Sequence, residues 1–136
     1  QLTVTDSGFY NYFKKYENIE YLFLVNQESQ RIIAKQIGGC SVDEQDLAIV
    51  FENPSKISID ESFDYTEFVK SLRNLEGEPI VIDSKKPYIA FVSWASWIGR
   101  LNKWESSKIL RSFEASNDKV QIYCLNLDIH QWWEEQ

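Results

Sequence analysis

Two thiols, one imidazole and a few charged runs are the groups in this chain that could carry redox, metal or acid–base chemistry. Cys40 and Cys124 stand 84 positions apart, so they form no Cys-x-x-Cys pair. His130 is the only histidine, which leaves no zinc-type spacing. Cys124 falls inside an alternating β-type run and is expected to be buried, while Cys40 has no basic neighbour in sequence to stabilise a thiolate. His130 adjoins Trp132 and Trp133, but no Ser, Cys or carboxylate partner can be placed with it, so it reads as a structural or surface group. Asp43, Glu44 and Asp46, with Asp60, Glu61 and Asp64, resemble calcium ligands in composition only. The spacing and glycine of an EF-hand are missing, and these acids suit helix N-termini instead. Arg100, Lys103, Lys108 and Arg111 read as a solvated basic helix face, with an acidic-partner patch as the alternative. No glycine-rich phosphate loop is present. These residues therefore assign no catalytic group, no metal and no cofactor.

Composition narrows the class. The chain has 136 residues, 43% hydrophobic and 15% aromatic, with five Gly and three Pro, which fits a single folded domain and not a disordered segment. A net charge of -7 argues against a nucleic-acid partner held by phosphate contacts. The longest apolar run, Tyr88 to Gly99, is about half the roughly 20 residues that a membrane-spanning helix needs. No secretory apolar region opens the chain, and the absence of Met, initiator included, is expected of a processed or trimmed chain.

The elements that would position a site are legible in outline. Pro87 to Ser93 is a continuous apolar run of the kind found in a strand buried on both faces. Gly99 to Ala115 follows as a helix, with Leu101, Trp104, Ile109, Leu110 and Phe113 as its apolar stripe. Lys119 to Asp128 alternates as a strand, so strand, helix and strand form a right-handed parallel crossover. Tyr21 to Val25 and Arg31 to Ile37 flank a polar turn and predict a hairpin, although its turn lacks Gly. Leu2 to Asp6 reads as a short strand, and Ser7 to Tyr16 as a helix with Phe9, Tyr12, Phe13 and Tyr16 on one face. Gly38-Gly39 ends the hairpin, and Ser41 with Glu44 forms a capping box opening a helix through about Phe51. Asn53-Pro54-Ser55 is a turn. Further expectations are a strand at Ile57 to Asp60, a helix at Phe63 to Leu75 and a strand at Glu78 to Asp83.

The segment Ser93-Trp94-Ala95-Ser96-Trp97-Ile98-Gly99-Arg100-Leu101 resembles the active site of thioredoxin-like proteins, where Trp-Ala-x-Trp-Cys-x-x-Cys joins a central strand to a helix. Ile98 and Leu101 stand at the two cysteine positions. The strand ending at Asp128, followed by Ile129-His130-Gln131-Trp132-Trp133, is similar to the next part of the extracytoplasmic thiol–disulfide oxidoreductases of this superfamily. Residues 1–53 resemble that family's C-terminal half and residues 54–136 its N-terminal half. The resemblance thus implies one α/β domain over 1–136, a thioredoxin-like three-layer α/β/α fold with a mixed central sheet, its elements in circularly permuted or cut order. It also implies an extracytoplasmic location. Glu20, after Ile19, stands where the family carries a cis-proline, and the Ile19–Glu20 bond is expected to be trans, since a cis bond before a non-proline costs about 2.5–4 kcal/mol.

On this resemblance the chain is expected to be a redox-inactive module that binds a protein or peptide partner. The implied binding residues are Trp94, Trp97, Ile98, Gly99, Arg100, Leu101, Ile19 and Glu20. The alternative for the same corner is that Ile98 and Leu101 merely plug a former site. Two other readings stay open: a small acidic inhibitor or immunity-type protein covering a basic surface, and an enzyme using the single thiol of Cys40 or Cys124. The first expected outcome is redox silence. In an insulin-reduction assay the protein should match the buffer blank, because Ile98 and Leu101 cannot exchange thiols. Turnover that disappears in Cys124→Ser would contradict it.

Overall fold

A computed structural model describes residues 1–14, 20–37, 64–96, 107, 110–111, 113–114 and 118–128. Cys40, His130, the helix expected at 41–51, the turn at 53–55, the strand at 57–60 and the 132–133 tryptophans lie outside these residues.

The described residues build an α/β structure around one mixed sheet. Its strands are β1 (Leu2–Val4), β2 (Glu20–Asn26), β3 (Arg31–Ile37), β4 (Leu72–Arg73), β5 (Tyr88–Trp94) and β6 (Val120–Asn126), in the order β3-β2-β5-β6-β1-β4. β5 runs parallel to β6 from Tyr88↔Val120 to Trp94↔Asn126 and antiparallel to β2 from Leu22↔Val92 to Asn26↔Tyr88. β6 and β1 are also parallel, and β3 lies at one edge. The two-residue β4 forms the other edge.

β5 sits at the centre because its sequence suits nothing else. Ile89, Ala90, Phe91, Val92 and Ser93 are all buried. The pleat sends Ile89 and Phe91 to one face, with Phe23, Val25, Phe68, Leu72 and Leu125, and Ala90 and Val92 to the other, with Leu22, Leu24, Phe113 and Val120. Phe68 anchors the first face, its ring 5.1 Å from both Phe91 and Tyr12 in edge-to-face contact. Leu110 and Phe113, from the segment expected to be the crossover helix, cover the second.

Several local expectations are corrected. The N-terminal helix is shorter: α1 spans Asp6–Phe9, and Tyr10–Lys14 continue as a π-helical turn. Thr5 caps α1 by accepting from the Gly8 N–H at 3.1 Å, so the strand ends before Thr5. The helix expected over 63–75 is α2 (Tyr65–Ser71), capped by Asp64, whose Oδ1 accepts from the Glu67 N–H at 3.0 Å. It stops because Leu72 turns extended, φ -75° and ψ 142°, and pairs with Val4. Tertiary pairing outweighs helix periodicity there. The strand expected at 78–83 does not form: only Pro79 bridges, to Arg73. Ile80 and Ile82 turn toward the core while Val81 is 88% exposed. The alternation is strand-like, yet among the described residues no strand pairs with it beyond the Pro79 bridge. Cys124 carries a free thiol and is half-buried, not buried, because β6 is only partly covered along its middle. The glycine missing from the hairpin turn is replaced by Gln30, which takes φ 55°.

α1 seats against the end of α2. The Thr5 N–H donates to the Ser71 carbonyl at 2.8 Å, and a Cβ placed on Gly8 would lie 2.6 Å from Ser71 Cβ. Ser71 Cβ belongs to a helix and cannot swing aside. Gly8→Ala should therefore destabilise the fold by roughly 1–3 kcal/mol, overpacking outweighing the approximately 1 kcal/mol gained in helix propensity. Urea denaturation measures this, and an unchanged or raised midpoint would contradict the packing.

Three tyrosines on the aromatic face titrate above their ordinary range. Burial raises Tyr12, with Asp64 and Glu67 adding to it; burial raises Tyr65, with Tyr123 adding; burial raises Tyr123, with Asp83 adding. The folded state favours the neutral phenols, so this stability is fully present below about pH 10 and is lost as pH climbs through the raised values. The urea midpoint should fall as pH rises above about 10, and Tyr123→Phe should flatten that fall. A midpoint that falls equally steeply in Tyr123→Phe would contradict the assignment.

Candidate functional site

The carboxyl ends of three parallel strands lie side by side. Trp94 of β5 is level with Asn126 of β6, which is level with Thr3 of β1. In open α/β sheets this end of the strands is where ligands are usually bound. Polar bonds tie the three ends together: the Thr3 hydroxyl donates to the Asn126 carbonyl at 2.7 Å, and the Leu127 N–H donates to the Trp94 carbonyl at 2.9 Å. Beyond β6, the Asp128 N–H donates to Asn126 Oδ1 at 2.7 Å, an Asx-type turn.

The corner after β5 is held from the far side of this turn. Asp128 Oδ1 accepts from the Ser96 N–H at 2.7 Å and from the Ser96 hydroxyl at 2.9 Å. Trp94 is half-buried, Ala95 is buried at 3% exposure, and Ser96 is exposed. Within three residues the chain thus passes from the core to solvent.

Of the residues singled out in the sequence, Trp94 is placed at this corner. Trp97, Ile98, Gly99, Arg100, Leu101 and Ile19 lie outside the described residues. Glu20 begins β2, and the β2–β5 ladder ends at Leu22↔Val92, so Glu20 and Trp94 each stand two residues past the last pair, at the same end of the sheet. An irregularity in the β2–β3 register falls between Glu20 and Leu22. Such bulges terminate pairing and re-aim side chains, and they recur beside functional sites.

Asn126, Asp128 and Thr3 are the residues that sequence reasoning left out of the site. The only signal for them was an Asp just past the end of a strand, a position too common to point across 32 residues to Ser96. Of the basic face expected along the crossover helix, Arg111 is described and is exposed. Among the described residues no three His, Cys, Asp or Glu side chains gather into a metal-binding group, and no helix is long and apolar enough to cross a membrane. Comparison with protein-family models, curated proteins and solved structures finds no match.

Proposed function

We propose that this chain is a thioredoxin-like domain in circularly permuted order that has lost redox chemistry and binds polypeptide at the corner after β5. The observation that carries this reading is the sheet. A central strand ending in Trp94-Ala95-Ser96 has a parallel neighbour on one side and an antiparallel hairpin on the other, and β2 opens at the same end of the sheet as Trp94. Both faces of that sheet carry packed apolar side chains, as a three-layer arrangement requires. Ile98 and Leu101 stand where the family it resembles carries its cysteine pair, and neither side chain can take part in disulfide exchange.

An extended peptide would lie across the strand ends between Trp94 and Glu20. Aromatic and aliphatic side chains would supply the affinity. The net charge of -7 favours partners that carry positive charge near the bound segment.

A permanently unfolded polypeptide of net positive charge, reduced and carboxamidomethylated lysozyme, serves as the probe in isothermal titration calorimetry. Trp97→Ala should weaken its binding by about 1–3 kcal/mol while leaving the melting temperature almost unchanged. Unaltered affinity together with a stability loss of about 3–5 kcal/mol would show Trp97 to be a core residue and overturn the reading.

A further inference from the structure

We infer that residues 72–75 are a strand-to-helix switch set by β1. With β1 in the sheet they are extended as β4 and the start of the turn after it; when β1 withdraws, α2 lengthens through them to Leu75. The sequence carries both forms. Phe68, Leu72 and Leu75 fall at i, i+4 and i+7, the spacing of one helix face, and Gly77 and Pro79 follow as a helix stop. In the structure α2 ends earlier, at Ser71, and Leu72 and Arg73 pair with Val4 and Thr3. Leu75 is left 41% exposed in a turn closed by the Gly77 N–H on the Asn74 carbonyl at 3.1 Å. Local pattern and tertiary pairing thus pull the same four residues in opposite directions, the condition under which one sequence supports two packings.

The last four carbonyls of α2 show what holds the extended form. In a longer helix they would take the N–H groups of residues 72 to 75. Instead the Phe68 carbonyl accepts from the Ser71 hydroxyl at 2.7 Å, that of Val69 from the Leu72 N–H, and that of Lys70 from the Arg73 guanidinium at 2.6 Å. These three substitutes come from the segment itself and would give way as the helix grew. The fourth comes from outside. The Ser71 carbonyl takes the Thr5 N–H at 2.8 Å, where a longer helix would place the N–H of Leu75. β1 therefore blocks the next helical turn twice, through Thr5 at its end and through its pairing with Leu72 and Arg73.

β1 is three residues long, against seven for β5 and β6. When it leaves, helical bonds over 72–75 replace those it took from β4 and Ser71, so this opening costs less than global unfolding. Leu75→Pro separates the two forms. Leu75 is the second residue of the turn that starts at Asn74, a position that proline suits. In the longer helix a proline there would lack the N–H for the Ser71 carbonyl and clash with it.

The test is amide hydrogen exchange and saturation-transfer NMR on the full chain and its variants. Leu75→Pro should slow exchange of the Thr5 amide about threefold or more beyond any slowing of the β5 amides, which report global unfolding. Val4→Ala, which weakens the hold of β1 on the core, should speed Thr5 exchange about tenfold or more. Saturation transfer on Val4→Ala should find a minor state with helical Cα shifts at Leu72, Arg73 and Asn74, and adding Leu75→Pro should remove it. A minor state with random-coil shifts at those residues, or none, would overturn the switch. Thr5 exchange that Leu75→Pro leaves unslowed relative to β5 would overturn it as well. Should Val4→Ala fail to fold, the Thr5 exchange of Leu75→Pro decides alone.

Discussion

A strand that is buried on both faces and paired on both edges dictates where its neighbours lie, and β5 is that strand. Its register with β6 and β2 cannot slip by one residue without sending Phe91 to the face that now receives Ala90 and Val92. The two faces are not equivalent. One gathers Phe23, Phe68 and Phe91 with Tyr12 and Tyr123 around them; the other is filled chiefly by aliphatic side chains and Phe113. An aromatic ring moved into the wrong face would overpack it and leave a void behind. Core packing thus fixes register, and register fixes the level at which the chain leaves the sheet at Trp94.

That chain of cause reaches the surface through hydrogen bonds rather than apolar contacts. Apolar packing is non-directional, and Ala95 is the last buried residue described at the end of β5, with Ser96 exposed. From there the path of the backbone is set by the Trp94 carbonyl, the Asn126 side chain and the Asp128 carboxylate, each bonded to a neighbour on an adjacent segment. The corner is held at its base by these hydrogen bonds.

Much of this framework was legible in the residues, and its gaps have physical causes. The run Tyr88-Ile89-Ala90-Phe91-Val92 announces a doubly buried strand, and the two β-rich runs around 21–37 announce a hairpin, because both signals are local. The exchange of helix for strand at Leu72 was hidden. Leu72 continues the apolar stripe of α2, and only the presence of β1 beside it makes an extended conformation preferable. The opposite error arose at Ile80 and Ile82, whose alternation is genuine but which, among the described residues, pair with no strand to complete a ladder. Gln30 at φ 55° shows a turn geometry met without its usual glycine. At the candidate site, Trp94 stood out by type, whereas Asp128 became informative only when the parallel pairing of β5 and β6 brought it beside Ser96.

Backbone NMR on the isotopically labelled chain tests the central arrangement most directly. Cross-strand NOEs should join β2 to β5 in antiparallel register with Phe23 opposite Phe91, and β5 to β6 in parallel register with Val92 opposite Cys124, and the amides of 89–93 should be the last to exchange with solvent. If β2 and β5 show no mutual NOEs, or if β5 and β6 prove antiparallel, the sheet order is wrong and the corner built upon it falls.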